Sequence, residues 1–175
     1  MTNSTSHKHR RSIRLPGFDY ARCGAYFVTI CTAHRQNLFG AVMDGTMVLN
    51  EAGEVAASCW TAIPSHFPIA SVDAWVVMPN HVHGILLIET DGEVEHTAIP
   101  NGTTRTVGSI VRGFKIGVTN WFRKQSIGDA IWQRNYWERI VRDDTELDRI
   151  RTYVAHNPRN WSRDDLNAST RSLIS

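Results

Sequence analysis

Two histidines stand one residue apart in MPNHVHGILLI, which runs from Met78 to Ile88. Val82 to Ile88 has the apolar, β-branched character of a strand, and Pro79-Asn80 reads as the turn before it. Side chains alternate across a strand, so His81 and His83 share one face about 6–7 Å apart, while Val82 faces the other way with Leu86 and Ile88. Two imidazoles so placed can hold one divalent cation, or they can form a hydrogen-bonded pair at a strand end. The neighbouring turn leaves an entry for an ion.

A second pair of chemical side chains lies in RTYVAHNP, where Tyr153 and Asn157 are one helical turn apart and share a face. An amide oxygen is a hard ligand that suits Mg²⁺ or Mn²⁺. A phenol beside a Lewis-acidic ion can attack a phosphodiester and hold it as a phosphotyrosine. The plainer reading makes Tyr153 a core aromatic continuing the Leu147, Ile150 and Val154 face. His156 is a rival ligand, but a rotation of about 100° per residue turns it away from Asn157. Tyr136 is a rival phenol.

These residues need elements to position them. Ala25–Thr32 predicts a buried strand, and Asp44-Gly45 a tight turn between Ala41–Met43 and Thr46–Leu49. Asn50 can cap a helix whose apolar face is Val55, Ala56, Cys59, Trp60 and Ile63, with Pro64 and Pro68 ending it. Val72–Val77 and Val82–Ile88 predict a hairpin, Val107–Lys124 a long helix, Ile131–Val141 a strand, and Asp143–His156 a helix. Asp143 and Glu146 fit a capping box, and Asn157-Pro158 marks the expected end of that last helix. Gly108, Gly113 and Gly117 weaken the long helix or let another backbone approach it. The order of elements predicts an α+β fold of the ferredoxin-like kind, an antiparallel sheet packed with helices. Residues 1–24 read as a basic arm, 25–161 as one domain and 162–175 as a tail that frays.

Composition supports a single globular domain: 175 residues, 42% apolar and 21% charged. Net charge is only +2, yet two zones are purely basic. Lys8, Arg10, Arg11 and Arg14 form one, and Arg105, Arg112, Lys115, Arg123 and Lys124 the other. Such clustering fits a polyanion-facing side or a solvated surface. Cys23, Cys31 and Cys59 show no CxxC spacing and read as small buried hydrophobes in a reducing, cytoplasmic compartment. The N-terminus lacks the apolar stretch of a signal peptide, and no run approaches the ~18 apolar residues of a membrane helix. Most of the six tryptophans are expected in the core, with Trp132, Tyr136 and Trp137 candidates for stacking on bases.

Four blocks in order, RRSIRLPGFDY, GAYFVTICTAHRQNLFG, WVVMPNHVHGILL and IWQRNYWERIVRDDTELDRIRTYVAHNPRNW, resemble the REP-associated tyrosine transposases, relatives of the single-tyrosine HUH transposases. The resemblance spans roughly residues 10–161. It implies a ferredoxin-like, RRM-like sheet, with His81, His83 and Asn157 as ligands of Mg²⁺ or Mn²⁺ and Tyr153 as nucleophile. It further implies cleavage of hairpin-forming, REP-like single-stranded DNA, leaving a 5′-phosphotyrosine and a free 3′-OH, by a monomer or homodimer associated with the nucleoid through its DNA. Arg10, Arg11 and Arg14 match the region that reads a guide sequence beside the stem. Arg112, Lys115, Arg123 and Lys124, or Arg134 and Arg139, are placed to hold stem phosphates. Two other readings compete. A catalytically inactive, domesticated binding module has no use for the intact His81, His83, Tyr153 and Asn157 set. A histidine-triad hydrolase needs a further histidine where Ile85 stands.

Overall fold

The computed structural model of the protein describes residues 24–89 and 106–167. Four strands, β1 (Gly24–Cys31), β4 (Ala70–Met78), β5 (His81–Ile88) and β6 (Trp137–Val141), form an antiparallel sheet in the order β4-β5-β1-β6. Helices α1 (Glu51–Thr61) and α3 (Val107–Lys124) alternate with these strands in the chain, which is the ferredoxin-like connectivity. A separate hairpin, β2 (Gly40–Met43) and β3 (Thr46–Leu49), is inserted after β1. The short α2 (Ile63–His66) follows α1, with Pro64 in its first turn, where a missing N–H costs nothing. Helix α4 (Asp144–Asn160) closes the order.

The period-2 alternation of β1 and β5 divides the sheet into two faces. Tyr26, Val28, Ile30, Val82, Leu86 and Ile88 point into the main core against α1 and α3. Gly84 is in that row because the Trp60 indole lies on it: a Cβ there would come 2.1 Å from Cζ2. The close approach expected of Gly117 is also present, since its added Cβ would meet Cys59 Sγ at 3.1 Å across the α1–α3 contact. The opposite face carries Phe27, Ile85 and Val76, covered by Leu147, Ile150 and Val154 of α4. His81 and His83 belong to this second face by the same alternation.

Helix α4 crosses β4, and a β-bulge fixes the crossing. Val72 pairs with Leu86 and Trp75 with Gly84, so Asp73 and Ala74 together oppose Ile85. The extra residue turns Asp73 toward α4, where Arg151 clasps both of its oxygens, Nε to Oδ1 at 3.0 Å and Nη2 to Oδ2 at 2.6 Å. Asp143 caps α4 by accepting from the Glu146 N–H. Glu146 reaches back to the Arg142 N–H, one residue before the N-cap.

Four expectations need correction. The helix does not stop at Asn157-Pro158 but runs on to Asn160. Among the described residues the chain is not frayed directly after Trp161: residues 161–167 form a 3₁₀ turn and a loop pinned to the domain, and the rest of the expected tail, 168–175, lies outside the described residues. The strand expected over Ile131–Val141 is confined to β6, preceded by a lone bridge between Thr32 and Trp132. The Gln133 and Asn135 carbonyls accept from the Lys115 ammonium, at 2.8 and 3.2 Å. Cys31 and Cys59 are half-buried rather than fully enclosed. Cys23, the basic arm with Arg10, Arg11 and Arg14, and the loop before α3 lie outside the described residues.

Candidate active site

The turn at Pro79-Asn80 delivers His81 and His83 onto the α4 face of the sheet, opposite Cys31 and Thr29 of β1. Both histidines are buried and their ring centroids are 4.4 Å apart. Each has its Nδ1 engaged from behind. Asn80 Nδ2 donates to the Arg35 and Leu166 carbonyls, at 3.2 and 2.8 Å, so its Oδ1 is the acceptor at 2.9 Å from His81 Nδ1. That bond puts the proton on Nδ1 and leaves a lone pair on Nε2. His83 Nδ1 meets the Thr29 hydroxyl at 2.9 Å.

Helix α4 brings Tyr153 and Asn157 over this pair. The Tyr153 hydroxyl is 3.2 Å from His83 Nε2, with the ring edge-on to Phe27. Tyr153 is 46% exposed, while Asn157 is 1% exposed. Asn157 Nδ2 donates to Asp164 Oδ2 at 3.2 Å, which turns Oδ1 toward the histidines. Asn157 Oδ1 and His81 Nε2 are both buried without a hydrogen-bond partner. With the His81 proton on Nδ1, both atoms are acceptors and cannot satisfy each other. Leaving a buried polar group unpaired costs about 1–3 kcal/mol, and a cation between them would satisfy both. This donor set, two imidazoles and an amide oxygen, fits a divalent metal.

Asp164 is a functional candidate that sequence reasoning missed. Its carboxylate lies with the ligand nitrogens of His81 and His83 in one group whose atoms are all within 4.8 Å of one another. Among the described residues this is the one such cluster of three. Arg35 was also missed. It lines the cavity, donates to the Asp165 carbonyl at 2.6 Å and stands in the left-handed region with φ 56°. Neither had a local signal, since both reach the site through tertiary contacts of a polar loop.

Electrostatics follow from burial. His81 is pushed down to about 3, first by burial and then by the Arg35 charge, with the Asn157 amide acting in the opposite direction. His83 is held well below the usual imidazole range by burial and by His81. Both rings are therefore neutral at physiological pH, the state a metal ligand requires. Burial and the Asp164 carboxylate raise the Tyr153 phenol.

A cavity of about 810 Å³ opens beside the pair, lined by Phe27, Arg35, His83, Trp137, Tyr153 and Asp164 among others. Tyr136 also borders it, but its hydroxyl binds Glu138 Oε2 at 2.9 Å. His156 is exposed and turns Nδ1 back to the Thr152 carbonyl. Trp132 is packed between Phe39 and Phe114, whereas Trp137 is 39% exposed at the cavity edge. The basic residues fall elsewhere. Arg112, Lys115, Arg123 and Arg134 line a groove of about 470 Å³ along the outer side of α3. Arg123 pairs with Asp129 at 3.3 Å, and Lys124 ends the helix. Arg139 on β6 pairs with Glu146.

The fold and site together define a ferredoxin-like α+β protein with a histidine pair on its open face and a tyrosine-bearing helix laid across it. No protein-family model matches the chain. An uncharacterised protein of Haemophilus influenzae is 44% identical over 167 residues, covering 90% of this chain and 93% of that protein. A second protein of that organism, provisionally named a REP-associated tyrosine transposase, is 28% identical over 143 residues, covering 80% of this chain and 73% of its own. Among solved structures, a REP-associated tyrosine transposase bound to a REP hairpin aligns with a TM-score of 0.60 at 19% identity, covering 85% of this chain and 74% of that one. The chain therefore resembles the REP-associated tyrosine transposases in sequence and shares their fold. Among the described residues, no helix is long and apolar enough to cross a membrane.

Proposed function

We propose that the protein is a metal-dependent single-stranded DNA transesterase that nicks and rejoins hairpin-forming DNA through Tyr153. The observation that carries this reading is the convergence, at the floor of the 810 Å³ cavity, of the Tyr153 hydroxyl with His83 Nε2 and the buried, unpartnered His81 Nε2 and Asn157 Oδ1. His81, His83 and Asn157 would hold a divalent ion such as Mg²⁺ or Mn²⁺. When bound, that ion supplies Lewis-acid stabilisation of charge on a phosphoryl oxygen.

The chain's own groups do the rest. His83 would hold such an ion through Nε2, the atom that now lies 3.2 Å from the Tyr153 hydroxyl, and Tyr153 already borders the cavity where a phosphodiester would lie. There the phenol oxygen forms a bond to phosphorus as the bond to the 3′-oxygen breaks. The phenol gives its proton to solvent water in the cavity, the departing 3′-oxygen takes one from solvent, and the 5′ side stays on the protein as a phosphotyrosine. Attack by a 3′-OH on that linkage reverses the step without an external energy source. Arg35 is available to orient the phosphate, and Trp137 offers a ring for base stacking. The hairpin bound by the structural relative supports a hairpin substrate here as well.

The test is a hairpin-bearing single-stranded oligonucleotide incubated with Mg²⁺ or Mn²⁺ and run on a denaturing gel. Metal-dependent nicking and a covalent protein–DNA band are expected, both lost in Tyr153→Phe. His81→Ala should abolish cleavage and keep hairpin binding. A wild-type protein that shifts the hairpin without cutting it under any of these ions would instead be a binding module.

A further inference from the structure

We infer that Asp164 is a ligand of the same cation, closing the histidine site with its one negative charge. This rests on the metal-dependent reading above and adds a residue that the sequence resemblance does not supply. His81, His83 and Asn157 are all neutral donors in a buried pocket, and a dication there gains little compensation from them. Asp164 is the acid whose oxygen falls within the 4.8 Å grouping of the histidine nitrogens.

The carboxylate is oriented rather than merely near. Oδ1 accepts from the Leu166 N–H at 2.7 Å, and Oδ2 from Asn157 Nδ2 at 3.2 Å. A carboxylate oxygen has two lone-pair directions, so the oxygen bonded to Asn157 retains one. The loop that carries Asp164 is tied down at the two residues that follow it: Arg35 Nη1 binds the Asp165 carbonyl and Asn80 Nδ2 the Leu166 carbonyl. Asn80 is also the residue that sets the His81 tautomer. One amide thus holds the imidazole and the carboxylate loop in register. Two imidazoles, an amide oxygen and a carboxylate form a mixed N/O set that favours a first-row ion such as Mn²⁺ over Mg²⁺.

The experiment is calorimetric titration of the metal-stripped full chain with Mn²⁺ and then Mg²⁺, without DNA. Wild type should bind Mn²⁺ more tightly than Mg²⁺. Asp164→Asn keeps an acceptor for the Leu166 N–H but removes the charge, and its Mn²⁺ affinity should fall tenfold or more. His81→Ala should show no binding. Melting of the metal-free proteins checks folding, and Asp164→Ser serves if the asparagine variant is disturbed. An Asp164 variant within twofold of wild type, beside a His81→Ala that has lost binding, overturns the role of Asp164 and leaves the metal-dependent reading intact. A wild-type protein that binds neither ion overturns both.

Discussion

At the scale of single residues, the site is governed by where lone pairs and protons are held. Asn80 and Thr29 stand behind the histidines and take up their Nδ1 atoms. Partners of this kind orient a ligand and typically change metal affinity or activity 10–100-fold when removed. Thr29→Val keeps the shape of a buried side chain and deletes only the hydroxyl. Calorimetry should show Mn²⁺ binding weakened about tenfold. Urea unfolding of the metal-free protein should show a loss of about 1–2 kcal/mol, because His83 Nδ1 then has no partner. Unchanged affinity would mean that Thr29 does not set the His83 tautomer. The histidine pair and the tyrosine–asparagine face were legible in the sequence because both follow from a single period, two for the strand and about 3.6 for the helix. Asp164 and Arg35 were not, because their meaning arises only when a polar loop after α4 folds back on a turn after β1.

At the scale of elements, the question is what keeps α4 at the angle that lays Tyr153 over His83. Apolar contacts from Leu147, Ile150 and Val154 supply adhesion, but the Asp73–Arg151 clasp sets position. Arg151 lies half a turn before Tyr153, so slippage there moves the phenol directly. The Arg151 guanidinium holds the Asp73 carboxyl below its ordinary value. A carboxylate depressed in the folded state contributes stability above its unfolded pKa and loses it as pH falls through the lower folded value. Asp73→Asn should therefore be less stable than wild type near neutral pH, by a small margin because solvent screens the exposed Arg151. Urea melts should show that difference shrinking through the acid range and vanishing below it. A difference that persists in acid would assign the effect to packing at the bulge. Neither the bulge nor the true end of α4 could be read locally. Pro158 is tolerated because the segment beyond it is anchored to Arg35 and Asn80, which keeps Asn157 helical and in line with Tyr153. Similarly, the alternation of Ile131–Val141 reflected burial of Ile131 and packing of Trp132 rather than a continuous ladder.

At the scale of the whole molecule, the basic groove and the histidine site occupy opposite faces of one sheet. The histidine site lies on the α4 face, while the groove of Arg112, Arg123 and Arg134 runs along α3 on the other. They meet around the β6 edge, because Tyr136 borders both the 810 Å³ cavity and the groove. A nucleic acid with its scissile strand at Tyr153 can therefore pass the β6 edge and rest its remaining phosphates on α3. The basic residues differ in what they have left to give. Two of the Lys115 donors are spent on carbonyls, and Arg123 and Arg139 face carboxylates. Arg112 and Arg134 make no ion pair among the described residues, which makes them the expected phosphate contacts. Each phosphate contact contributes about 0.7–0.9 to the slope of log affinity against log salt. The double variant Arg112→Ala/Arg134→Ala should weaken hairpin binding at low salt and reduce that slope by about 1.4–1.8, as read by fluorescence anisotropy across a salt series. The covalent tyrosine product on a short unstructured strand, which reaches the cavity alone, should form at the wild-type rate. Loss of nicking on the short strand would place these arginines in the catalytic cleft, and an unaltered salt slope on the hairpin would remove the α3 groove from the path of the DNA.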